Sequence, residues 1–111
     1  MRNNYKEPEH IEKDEFLTTL ATNKVKPLCH AIVGVVHSID DYDWLLKHFI
    51  LLLEHPASEV RCVTVTCIGH LARLNDDADK DQLIEILTPL LSDNVLAGPA
   101  EDAIEDIQKF L

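Results

Sequence analysis

The sequence predicts an all-α fold: about six helices, arranged as three hairpins in one domain. Apolar residues recur at three- and four-residue spacing in one segment after another, the pattern of helices with a buried face. Aromatic residues make up 5% of the 111 positions and glycine occurs only 3 times, whereas strands and their turns draw on both. Pro27, Pro56, Pro89 and Pro99 fall at or near the places where these apolar stripes begin or end. A chain of this length buries one core and leaves no room for a separate catalytic domain. Residues 11–111 are therefore expected to form a single helical-repeat domain, preceded at residues 1–10 by a polar, aperiodic, flexible arm.

The first helix is expected from Ile11 or Asp14 to about Asn23, with Ile11, Phe16, Leu17 and Leu20 inward, and Thr22-Asn23-Lys24 is a turn. The second runs from Val25 or Pro27 to Ile39. Pro27 sits in its first turn, where a missing N–H costs no backbone bond, and Leu28, Ile32, Val35, Val36 and Ile39 form its stripe. Asp40-Asp41-Tyr42-Asp43 makes the next turn, ending in an N-cap at Asp43. The third helix, from Trp44 to about Glu54, is apolar almost all round (Leu45, Leu46, Phe49, Ile50, Leu51, Leu52, Leu53), which only a helix covered on more than one side tolerates. Pro56 ends it by holding His55 out of the α region, and Ser58 is placed to cap the fourth helix, Val60 to Leu74, with Glu59 in its positively polarised first turn. After the turn Asn75-Asp76-Asp77-Ala78-Asp79, the fifth helix runs from Lys80 to Leu91 with Leu83, Ile84, Ile86, Leu87, Leu90 and Leu91 as its stripe. Pro99 opens the sixth, in which Ala100, Ala103, Ile104, Ile107, Phe110 and Leu111 face inward.

The formal net charge is −10, from 20 acidic and 10 basic residues. Phosphate-binding surfaces need clustered Lys and Arg, so direct nucleic-acid binding is disfavoured. Residues 75–111 carry ten acids (Asp76, Asp77, Asp79, Asp81, Glu85, Asp93, Glu101, Asp102, Glu105, Asp106) against Lys80 and Lys109, which concentrates the excess charge at one end of the chain. Cys29, Cys62 and Cys67 sit among apolar neighbours; Cys62 and Cys67, five apart on one helix, point about 140° from each other and read as unpaired core thiols of a reducing compartment. The N-terminus has no apolar signal core and no run reaches transmembrane length, so a cytoplasmic protein without a membrane span is expected.

Internal repetition appears at an offset of 35 residues, which carries Val25-Lys26 onto Val60-Arg61, Val33-Gly34 onto Ile68-Gly69, Val36 onto Leu71 and Ile39 onto Leu74. A third copy matches loosely through Val95 and the Ile104/Ile107 stripe, as in a capped short array. The segment Leu51-Leu52-Leu53-Glu54-His55-Pro56-Ala57-Ser58-Glu59-Val60-Arg61, followed by Thr64, Thr66, Ile68-Gly69 and Leu71, resembles a HEAT repeat. The resemblance implies a short right-handed α-solenoid, a curved slab in which Val60 plugs the space between paired helices and Arg61 spans the turn toward an acid of the neighbouring repeat. It also implies that the turns between pairs fall on one edge. Asp40, Asp41 and Asp43 then lie beside Asp76, Asp77, Asp79 and Asp81 in an acidic ridge, which Glu101, Asp102, Glu105 and Asp106 continue along the sixth helix.

Helix capping accounts for some of these aspartates, but four acids within six residues repel one another beyond any need for caps. Such a field suits a basic protein partner, and Tyr42 and Trp44, flanked by aspartates, are either core anchors or binding hot spots. No catalytic, cofactor-binding or metal site is expected. His30 and His37 are too far apart along one face to chelate together, and no Cys-x-x-Cys, His-Glu-x-x-His or Gly-rich phosphate loop occurs; Gly34 and Gly69 read as close-packing positions. The Asp77–Asp81 alternation opens like a calcium loop, but Gln82 and Thr88 stand where Gly and a bidentate Glu belong.

An isolated, acidic, three-repeat chain is similar to the small immunity proteins of bacterial polymorphic or contact-dependent toxin systems. That resemblance implies a non-enzymatic, stoichiometric inhibitor whose acidic surface covers the positive cleft of a basic toxin, typically a nuclease. The alternative is a generic repeat adaptor or scaffold that holds a peptide or subunit. A HEAT-like lyase acting on bilins would need a reactive constellation that the sequence lacks.

Overall fold

The first hairpin closes on an asparagine. Asn23 adopts φ 55°, the left-handed conformation that an Asn side chain tolerates, and its N–H donates to the Leu20 carbonyl at 3.1 Å. The computed structural model describes residues 10–110, and among them the regular structure is helical throughout: α1 (Lys13–Thr22), α2 (Val25–Ser38), α3 (Tyr42–Leu52), α4 (Ser58–Leu74), α5 (Lys80–Leu87), a 3-10 helix (Thr88–Ser92) and α6 (Ala97–Phe110). The expected arm at residues 1–10 lies, but for His10, outside the described residues, as does Leu111. No described helix is long and apolar enough to cross a membrane.

Each odd-numbered helix packs on its successor, α1 on α2, α3 on α4 and α5 on α6, and the three hairpins stack through the even-numbered helices, with α4 between α2 and α6. The stack measures 35 × 33 × 30 Å, nearly equal in three directions, so the curved slab of a longer array does not develop. Phe16, Leu28, Ile32, Leu45, Phe49, Val60, Ile68, Leu71, Leu83, Leu87, Leu96 and Ile107 form one continuous core. The tightest approach is between α4 and α6, where a Cβ at Gly69 would lie 2.9 Å from both the Cα and the Cβ of Ala103. Gly69 is therefore the close-packing position that the sequence suggested.

Several local expectations give way to identifiable causes. Asp41, two residues earlier than Asp43, is the N-cap of α3, and α4 begins at Ser58 with Ala57 as an N-cap lacking a side-chain hydrogen bond. The fifth helix stops at Leu87, because Pro89 supplies no N–H and the chain tightens into the 3-10 turn. Leu17, Leu91 and Phe110, expected inward, are exposed, since they fall on the flanks of their stripes. In the third hairpin Val95 is exposed and Leu96 takes the buried place, so Leu96, Ala100, Ala103 and Ile107 repeat Val60, Thr64, Cys67 and Leu71 at an offset of 36 rather than 35. The near-continuous apolar surface of α3 is only partly covered: Leu45, Leu46, Phe49 and Leu52 are buried, whereas Ile50 is 42% and Leu51 64% exposed.

Candidate functional site

Two turns meet at one edge of the stack, and a tyrosine joins them. Asp41 terminates the α2–α3 connection: one carboxylate oxygen accepts the Trp44 N–H at 3.2 Å and the other accepts Lys13 Nζ at 2.8 Å. The lysine hydrogen bond first, and the backbone one second, hold the Asp41 carboxyl below its ordinary value. Asp79 caps α5 in the same manner, accepting the Gln82 N–H at 3.1 Å. Tyr42 lies buried between these caps. Its hydroxyl donates to Gln82 Oε1 at 2.8 Å and accepts the Asp79 N–H at 3.3 Å. Burial pushes its pKa up, so the phenol stays neutral and able to donate.

The result is a basin of about 400 Å³ lined by Asp40, Asp41, Tyr42, Asp43, Asp77, Asp79 and Gln82. Five carboxylates line it and no base does, although Lys13 approaches Asp41 from α1. Asp79 and Gln82 also border a second depression, between α3 and α5, to which Asp81 contributes. Asp76 stands exposed on the same turn without lining either.

The α6 carboxylates are placed elsewhere. Asp102, Glu105 and Asp106 line a separate depression with Lys109, and Glu101 is exposed nearby on the same helix. The acids of α6 thus form an acidic area that shares no lining residue with the basin. Asp106 instead faces His70 of α4 and opposes the burial that pulls the His70 pKa down.

The two aromatic candidates are engaged in packing. Tyr42 is buried and hydrogen-bonded, and Trp44 is half-buried, edge-on to Phe16 at 5.6 Å and tilted against His48 at 4.5 Å, with Lys13 Nζ 5.1 Å from its ring centre. Both act as anchors, Trp44 of α1 to α3 and Tyr42 of α3 to α5. Among the described residues no group of three or more His, Cys, Asp or Glu side chains is disposed to hold a metal ion. Burial, and then Cys29, pushes the Cys67 thiol up to about 12, which keeps it unreactive. Two residues of this region escaped sequence reasoning. Gln82 fixes the junction of the turns, and its only sequence signal was the capped first turn of α5. Ile50, solvent-exposed beside the acids, was hidden in an apolar run.

No protein-family model matches the chain, and no curated protein matches it in sequence. Among solved structures, it is similar to a chain of the CDI complex from Cupriavidus taiwanensis LMG 19424, with a TM-score of 0.88 and 30% sequence identity over 98% of this chain and 98% of that one. The chain belongs to that protein's family. The two chains share the fold from end to end, and the acidic basin of this one, built by the α2–α3 and α4–α5 turns, lies inside the shared region.

Proposed function

We propose that this chain is the immunity member of a contact-dependent growth inhibition pair, a cytoplasmic bacterial protein that binds one toxin domain stoichiometrically and has no enzymatic activity of its own. The observation that carries this reading is the whole-length similarity to a chain of a CDI complex. The charge distribution supports a finer one. A net charge of −10, with five carboxylates in one basin, favours a basic partner, and a nuclease whose cleft binds phosphates is the toxin class such a surface fits. An acidic protein seated over that cleft competes with the nucleic-acid backbone for the same cations.

The hairpins are read as HEAT-like on the strength of two positions. Val60 is fully buried between paired helices, and Arg61 crosses its turn, donating from Nη1 to the carbonyls of His55 at 2.8 Å and Pro56 at 3.0 Å. Arg61 is also near enough to Asp93 of the next hairpin to help hold that carboxyl below its ordinary value, after the backbone N–H groups of Leu96 and Val95.

The test is protection. The domain encoded directly upstream of this gene, the candidate toxin, is induced in cells with and without the chain. Growth restored by the wild-type chain, and lost again when Asp40, Asp43, Asp77 and Asp79 are changed together to Asn, is the expected result. Unprotected growth with soluble wild-type chain would overturn the immunity reading; full protection by the neutralised variant would overturn the acidic-surface part alone.

A further inference from the structure

Ile50 and Leu51 are large aliphatic residues left open to solvent on a helix whose other apolar residues are buried or half-buried, and the described chain supplies nothing to cover them. Ile50 lies in a groove of about 580 Å³ between α3 and α5, facing Ile86, with Asp79, Asp81, Gln82 and Glu85 around it. The groove exists because α3 and α5 are each held against the even-numbered layer and do not pack closely along one another. Its aliphatic floor is a hydrophobic contact site, and its rim carries three carboxylates and no base. Lys47 on α3 and Lys80 on α5 lie outside the lining.

Resting on the immunity reading above, we infer that this groove is the anchor point of the complex: it takes one apolar side chain of the toxin, flanked in the toxin by lysine or arginine. The aliphatic floor rewards an apolar group that leaves water, and the rim selects one presented by a basic segment. A second copy of this chain is a poor occupant, because it would bring another net charge of −10 against the same three carboxylates. Anchors that are fully desolvated at the centre of an interface govern dissociation, whereas charges at the rim govern encounter. The groove is continuous with the basin through Asp79 and Gln82, so basin and groove form one surface with separable kinetic roles.

The experiment measures association and dissociation rates of the chain with the toxin domain identified by the protection test, using a catalytically inactivated toxin. Ile50→Ser removes the apolar contact without changing the charge of the rim, and a half-exposed position tolerates the change; circular dichroism checks the fold. The expected result is dissociation at least tenfold faster with association unchanged. Glu85→Gln together with Asp81→Asn is expected to slow association several-fold and to change dissociation less. A photo-crosslinking residue placed at position 50 is expected to capture the toxin, and the same residue at exposed Val95, on a different hairpin, is not. Wild-type rates in both variants and no crosslink from position 50 would overturn the groove assignment while the immunity reading stands. A wild-type chain that does not bind the toxin would overturn both.

Discussion

Replacing Gly69 with Ala tests the packing on which the whole stack depends. The added Cβ would sit 2.9 Å from the Cα of Ala103, and because that atom is backbone, no rotamer change relieves the clash. Only a separation of α4 from α6 accommodates it, along the most extensive helix contact in the molecule. Overpacking of this kind costs about 1–3 kcal/mol, and the rigidity of the backbone obstacle places the cost in the upper half of that range. Ala is favoured over Gly inside a helix by about 1 kcal/mol, which offsets part of it. The net expectation is a loss of about 1–2 kcal/mol, or a Tm lower by roughly 5–10 °C for a domain of this size. Gly98→Ala is the internal control, since no atom lies within 4 Å of a Cβ there and the variant should be as stable as wild type or slightly more so. Urea and thermal unfolding of the two variants side by side decide the matter. A Gly69→Ala protein as stable as the Gly98→Ala protein would refute the close approach of α4 and α6.

Substitutions at two further positions test the α5 cap and the buried histidine of α4. Asp79→Asn keeps a side-chain acceptor for the Gln82 N–H and should leave stability nearly unchanged while slowing association with a basic partner; Asp79→Ala loses the cap as well and should cost about 1 kcal/mol, read by denaturant unfolding. His70 makes stability depend on pH. Burial, Arg73 and His37 lower its pKa in the folded chain, so below the ordinary value of 6.5 the unfolded state takes up a proton before the folded state does, and stability falls as pH drops from there through the lowered value. His70→Gln should flatten the slope of unfolding free energy against pH in that window, leaving the contribution of His48, whose pKa burial also lowers.

The helices and their pairing were legible in the sequence because periodicity, prolines and turn residues agree on where each helix lies, with starts shifted by two residues at α3, α4 and α6, the last of which begins at Ala97 ahead of Pro99. The largest difference, the early end of α5, comes from Pro89, whose position relative to the last hydrogen-bonded turn no periodicity reveals. The meeting of the two aspartate turns was legible through the repeat, since equal offsets bring equivalent turns to one edge. Ile50 was missed because an apolar run reports that a surface must leave water, but not whether the covering groups come from the same chain or from a partner.

The most direct test of the central claim is the association rate of this chain with the toxin domain it protects against as ionic strength is raised. If the acidic basin meets a basic partner, the rate falls steeply once the screening length drops below about 10 Å, and the variant neutralised at Asp40, Asp43, Asp77 and Asp79 starts lower and loses most of that dependence. Equal rates for both proteins across the whole salt range would contradict it.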